Sequence, residues 1–342
     1  ERCDMVTNQL RVAGHLIAKN IIMGVNKEKK KNWIMATLTL QISENQRIDL
    51  SMFSNEFTST GTKSKSYTAL ETIRDTYKSL DSTVTNKRVN PDAQAVKDEA
   101  TTVATLEETT FVYANKGITI GMNRYMRDGE IQENFRLSVN FVNSAKETDP
   151  KEPYLEGTLT GVVTKKPFRF EEPNGEEYVK FELTVPTYQS AWGDRDESVV
   201  VDKFELVMRA ENFEDGEFEG AMDFVEDEFD ENMVISVSIE PTVKVVASQE
   251  PVEDTGSKRG FGRKVEFKPS TRTVREIRVL GGYALEEDEY AEDKAFDFDL
   301  YSKAVEEFER KLEEMKADQG QTFQVQKGFG NAKKDSGTKL PF

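Results

Sequence analysis

The stretch Trp33-Ile34-Met35-Ala36-Thr37-Leu38-Thr39-Leu40-Gln41-Ile42 alternates without a break. Ile34, Ala36, Leu38, Leu40 and Ile42 leave one side of the backbone; Trp33, Met35, Thr37, Thr39 and Gln41 leave the other. Successive side chains of an extended chain point to opposite faces, so this pattern predicts a strand with one buried face. Tyr178–Val185 repeats it, with Val179, Phe181, Leu183 and Val185 on the apolar side and Tyr178, Lys180, Glu182 and Thr184 opposite. In register, Trp33 falls on Tyr178. Each strand therefore offers an aromatic ring on the face that is not core.

Around the first strand the chain reads as a unit. Residues 9–22 form a strand with Gly14 where a strong bend would need it. A basic loop containing Lys27, Lys29, Lys30 and Lys31 leads into Trp33. Residues 46–54 form a third strand, with Ile48, Leu50 and Met52 inward and Phe53 outward. Tyr67, Leu70, Ile73, Tyr77 and Leu80 recur at helical spacing. Residues 82–108 are polar and read as a mobile insertion. Thr110–Met122 and Glu133–Val142 close the unit as two more strands. The order is three strands, a helix, two strands.

After a linker at Asp149–Pro153 the order recurs. Tyr154–Thr164 is strand one, and Lys165–Phe170 with Asn174-Gly175 forms the connection to Tyr178–Thr187. Val199–Arg209 is strand three, and Phe218, Met222, Val225 and Phe229 mark an acidic helix. Met233–Val246 is strand four, broken near Pro241. A basic glycine-containing loop, Ser257–Lys264, precedes the last strand at Ser270–Leu280. The same element order found twice argues for duplicated architecture. Beyond Gly281-Gly282 lie an acidic segment and a helix with the apolar stripe Leu300, Tyr301, Ala304, Val305, Phe308, Leu312 and Met315, N-capped by Asp299. The residues from Asp318 onward read as disordered or partner-dependent.

The 342 residues suffice for two or three domains. Of the net charge of −17, residues 1–150 carry +1 and the remainder −18. Such asymmetry separates a ligand-facing part from an acidic, solvated part. One cysteine, Cys3, and one histidine, His15, leave no disulfide and no zinc set. No apolar run is long enough for a membrane span, and no signal-peptide core opens the chain. A reducing cytoplasm is the expected location, the host's if the chain is phage-encoded. No nucleotide-binding loop or nucleophile–base pair appears, so neither catalysis, a cofactor nor a metal is expected.

Two such units resemble tandem OB-fold single-stranded DNA-binding proteins of a phage-like kind, a resemblance carried by the element order across roughly residues 9–280. The resemblance implies a mainly β chain of two OB-like five-stranded barrels in tandem, each with a connecting helix, plus a C-terminal acidic and helical arm. The units would be 1–148, 149–282 and 283–342. In that fold nucleic acid lies across strands two and three, flanked by the loops joining strands one–two and four–five. The terminal Leu340-Pro341-Phe342 is similar to the tips through which bacterial members recruit replication partners, although the preceding Lys333–Lys339 are not an acidic run. That tip and the Leu300–Met315 helix are the two candidate partner sites.

Single strands are held by cations along the phosphates and by rings on which bases stack. In the first unit the candidates are Lys29, Lys30, Lys31 and Arg124, with Trp33, Phe53 and Tyr125. In the second they are Lys165, Lys166, Arg169, Lys180, Lys258, Arg259, Arg263 and Lys264, with Phe168, Phe170, Tyr178, Trp192 and Phe261. The expected function is binding of single-stranded DNA without sequence preference, in replication, recombination or repair. The alternative is a structural β-barrel protein of a phage virion or tail.

Overall fold

The first strand, β1 (Asn8–Asn26), is long enough to serve two sets of neighbours. The computed structural model describes residues 5–26, 31–127, 129–146, 151–172, 175–191, 196–214, 216–251, 267–317 and 322–324, the side chains of 244–251, 267–272 and 322–324 excepted. At Gly14 of β1 any Cβ would sit 2.6 Å from the Gln41 carbonyl oxygen, and the register of β1 shifts between Leu16 and Ala18. Its second half pairs antiparallel with β2 (Lys31–Gln41), from His15 opposite Gln41 to Asn26 opposite Lys31. β3 (Arg47–Asn55) continues the sheet, and the inward set Ile48, Leu50 and Met52 is buried as the alternation requires.

α1 (Lys65–Thr76) begins where the Ser64 hydroxyl accepts from the Tyr67 amide, and it buries Tyr67, Leu70 and Ile73. β4 (Asp81–Asn86) runs parallel to β1 and pairs with β5 (Val96–Lys97). β6 (Phe111–Arg127) and β7 (Glu130–Val139) form a hairpin, and β8 (Asn143–Ser144) pairs with β6. The circuit then closes. β7 lies parallel to β3 through Leu50–Leu137, and β6 returns to β1 through Val12–Ala114. The order β1-β2-β3-β7-β6-β1, with a helix between the third and fourth barrel strands, is the connectivity of an OB barrel.

The second circuit repeats it. β9 (Tyr154–Glu171), β10 (Glu177–Gln189) and β11 (Ser198–Arg209) are followed by α2 (Glu217–Glu228), β12 (Val234–Pro251) and β13 (Phe267–Ala284). β11 lies parallel to β13 through Val207–Arg278, and β12 closes on β9. The two circuits share a sheet, because β1 residues 8–13 pair antiparallel with β9 residues 154–159. The chain is thus mainly β, two five-stranded barrels with a C-terminal helix.

Several expectations are corrected. Residues 82–108 are ordered: Ser82 is fully buried, and its hydroxyl meets Thr101 Oγ1 at 3.0 Å. Leu80 lies beyond α1 and is exposed. Lys165–Phe170 belong to β9 rather than to a loop. β12 passes through Pro241 unbroken, its irregularity falling at Ser238/Ile239. Asp297, not Asp299, caps the last helix, its carboxylate accepting from the Leu300 amide at 3.0 Å.

After α3 (Glu287–Tyr290) comes that helix, α4 (Phe298–Ala317), and then β14 (Thr322–Gln324), which pairs with β6. The apolar stripe of α4 packs on Tyr188, Val199 and Val201 of the second barrel. The apolar stripe of the Leu300–Met315 helix is therefore a docking face against its own chain. No helix among the described residues is long and apolar enough to cross a membrane.

Candidate nucleic-acid interface

The outward row of β2 is Trp33, Met35, Thr37, Thr39 and Gln41, and that of β3 is Arg47, Asp49, Ser51, Phe53 and Asn55. Register pairs them across one open face, with Met35 opposite Phe53 and Thr37 opposite Ser51. The Trp33 indole lies flat against Gly24 of β1, where an added Cβ would come within 2.1 Å of the ring. Only glycine leaves that space. Trp33 is half-buried and its ring centroid stands 6.1 Å from that of Phe53, which is 47% exposed. Tyr125, also half-buried, accepts through its hydroxyl from Asn134 Nδ2 at 3.2 Å. Lys31 opens β2 at the Trp33 end of this face.

Arg124 is a correction. It is 1% exposed, with Nε 2.6 Å from Glu133, Nη1 2.6 Å from Asp202 of the second barrel, and Nη2 donating to the Lys203 carbonyl. Its guanidinium stacks 4.9 Å from the Phe308 ring. A cation enclosed this way joins the barrels and offers nothing to phosphate. Burial pushes the Asp202 carboxyl above its ordinary value, while Arg124 and the Met122 amide pull it back.

The same face of the second barrel is differently built. Phe168 is 64% exposed, its edge 5.0 Å from Phe170, and Phe170 stacks on Tyr178 at 5.4 Å with planes 13° apart. Arg209 lies over Tyr178 at 4.8 Å. Yet every described cation expected here already has a carboxylate. Lys165 meets Glu182, Lys166 meets Asp230, Lys180 meets Glu205, and Arg169 holds both Asp223 and Glu226. Those two carboxylates keep the Arg169 guanidinium above its ordinary value. The other half of the face lies under α4, where Lys203 reaches Glu309. Among the described residues the rings are in place, but none of the expected cations is left unpaired. Lys29, Lys30, Trp192, Lys258, Arg259, Phe261, Arg263 and Lys264, with Lys27 and the Leu340–Phe342 tip, lie outside the described residues.

Free positive charge appears instead beside the Trp33–Phe53 face. A cleft of about 260 Å³ is lined by Arg47 of β3, Arg136 of β7 and Arg275 of β13, with Thr37, Ser51 and Asn123 among its walls. Among arginines with described side chains, these three alone have neither an ion pair nor a hydrogen bond. Sequence reasoning missed them. For Arg47 and Arg136 the signal was present, since both alternate with buried residues: Arg47 with Ile48, and Arg136 with Phe135 and Leu137. Arg275 reaches the cleft only through the pairing of β12 with β13, which places it opposite Val243. No group of three or more metal-ligating side chains occurs among the described residues.

A family profile, YorF, matches residues 7–318, from before β1 to the end of α4. The chain belongs to the YorF family. No curated protein sequence matches it. Among solved structures it is similar to the wild-type single-stranded DNA-binding protein of Thermus aquaticus, at 10% identity and a TM-score of 0.42, covering 82% of this chain and 93% of that one. A deletion mutant of that protein has the same identity and TM-score, covering 82% and 95%. The Plasmodium falciparum SSB in complex with ssDNA is similar at 10% identity and a TM-score of 0.25, covering 38% of this chain and 94% of that one.

Proposed function

We propose that this YorF-family chain binds single-stranded DNA, without sequence preference, on the outer face of β2 and β3 in the first barrel. One observation carries the reading: Trp33 and Phe53 stand on the same face as a cleft whose arginines have no carboxylate partner. Rings stack on any base and guanidinium groups grip any phosphate, so the surface suits an unpaired strand and reads no base edge. The role is non-catalytic, in DNA replication, recombination or repair, in the cytoplasm, the host's if the chain is phage-encoded. Residues 1–148, 149–282 and 283–342 are its working units, with Leu340-Pro341-Phe342 as the segment offered to replication proteins.

The test is fluorescence anisotropy of a labelled oligo-dT at low and high salt, with oligo-U as competitor. Saturable binding that weakens with salt and resists the RNA competitor supports the reading. Absence of binding at low salt, with large assemblies in light scattering, supports the scaffold alternative.

A further inference from the structure

We infer that the cleft between Arg47, Arg136 and Arg275 is a seat for a phosphodiester, held jointly by the two barrels; this rests on the single-strand reading above. Arg47 and Arg136 belong to the first barrel, whereas Arg275 and Val243 come from the second. The junction is held by Gln46, buried beside Arg47, whose side-chain amide donates to the Pro241 carbonyl at 3.2 Å. The second barrel's arginine thus stands on a fixed wall.

Charge argues for the ligand class. The chain has 63 Asp and Glu against 46 Lys and Arg, so a free carboxylate is seldom far from an arginine. Three like charges left around one cleft repel one another unless an anion joins them. One carboxylate does line the cleft, Asp49, and its Oδ1 accepts from Thr39 at 2.7 Å. The guanidinium fork matches phosphate oxygens in a bidentate manner that an ammonium group does not. Ser51, Thr37 and Asn123 add neutral hydrogen-bonding groups at the rim. Ile48, Phe135, Leu137 and Val243 also line the cleft, so hydrocarbon lies beside its polar groups.

The seat gives the strand a path. From the Trp33–Phe53 rings it runs along β2 and β3 to Arg47 and crosses to Arg275, so one bound strand contacts both barrels.

The experiment compares oligo-dT binding by the full chain and by Arg47→Gln, Arg275→Gln and their double variant across a salt series. Both sites are solvent-exposed, and circular dichroism checks that the variants fold. Each single change should weaken binding several-fold at low salt and make the slope of log K against log salt shallower by about 0.7. The double variant should lose less than the product of the single losses, since both arginines serve one phosphate. Arg169→Gln, whose guanidinium is already paired, should leave the slope unchanged. Unchanged affinity and slope for Arg275→Gln, with Trp33→Ala still weakening binding, would overturn the shared seat and leave the first-barrel reading standing. A full chain that binds no oligo-dT would overturn both.

Discussion

Arg124 on the first barrel and Asp202 on the second meet at 2.6 Å, with the arginine 1% exposed. The pair ties β6 to β11, and the Met122 amide donates to the other carboxylate oxygen at 2.7 Å. Removing one partner of an enclosed pair leaves the other charged and without compensation. Arg124→Met is therefore expected to cost about 3–5 kcal/mol, read by urea unfolding. The double variant with Asp202→Asn should recover part of that loss. A loss under about 1 kcal/mol would contradict this role for the pair.

Lys19 predicts a pH dependence. It is 1% exposed, and its Nζ donates to the carbonyls of Ile73, Arg74 and Tyr77 at 3.1, 2.7 and 2.9 Å, closing the end of α1. Burial pushes it down to about 8, with Asp98 and Asp75 pulling it back up. In the unfolded chain a lysine titrates near about 10.4. Below about 8 both states are charged and the folded state bears the cost of burial. Between the two values the folded state has released its proton and the unfolded state has not, so stability rises with pH across that window. Lys19→Met should abolish this rise and, by orphaning helix-end carbonyls, destabilise the protein by about 1–3 kcal/mol near neutrality. Parallel unfolding curves for the two proteins from pH 7.5 to 10.5 would contradict it.

Much of this was legible in sequence, for physical reasons that also mark its limit. Alternation at 33–42 and 178–185 reports which face a side chain leaves, and Phe53 and Tyr178 stand outward as that rule requires. It does not report which distant strand lies alongside. Arg47, Arg136 and Arg275 come together only through the register of separate ladders, and Arg124 finds Asp202 78 residues away. Lys165–Phe170 was hidden by Pro167, which lacks an N–H and sits where the β9–β10 register shifts, one of the few strand positions proline tolerates. Residues 82–108 lack apolar periodicity because their packing is polar. Ser82 and Thr101 are buried and hydrogen-bonded to each other there, a form of order that hydrophobic patterning cannot signal.

Phe308 should hold α4 in place. It is 4% exposed, lying against Val199 and Val201 with Arg124 and Lys203 over its ring. Phe308→Ala is expected to lower stability by about 3 kcal/mol. Amide exchange should accelerate in α4 more than in the barrel strands, because the helix packs through a separate small cluster. Equal acceleration throughout would show that α4 and the barrels unfold as one.

Gly24 supports the Trp33 ring, so Gly24→Val should displace the indole without touching the cleft. Oligo-dT affinity should fall by roughly 5- to 150-fold, as for Trp33→Ala, because one stacked base is lost, worth about 1–3 kcal/mol. In a Trp192→Phe background the remaining indole fluorescence reports the displacement directly. An unaltered affinity despite an altered spectrum would remove Trp33 from the interface.

The most direct measurement is photo-crosslinking of a halogenated single-stranded oligonucleotide to the full chain at low salt, with the attached peptides mapped. Crosslinks are expected at Trp33, Phe53 or Tyr125 of the first barrel, lost on competition with unlabelled oligo-dT. Crosslinks confined to Phe168, Phe170 and Tyr178 of the second barrel, with the first-barrel face unmarked, would contradict it.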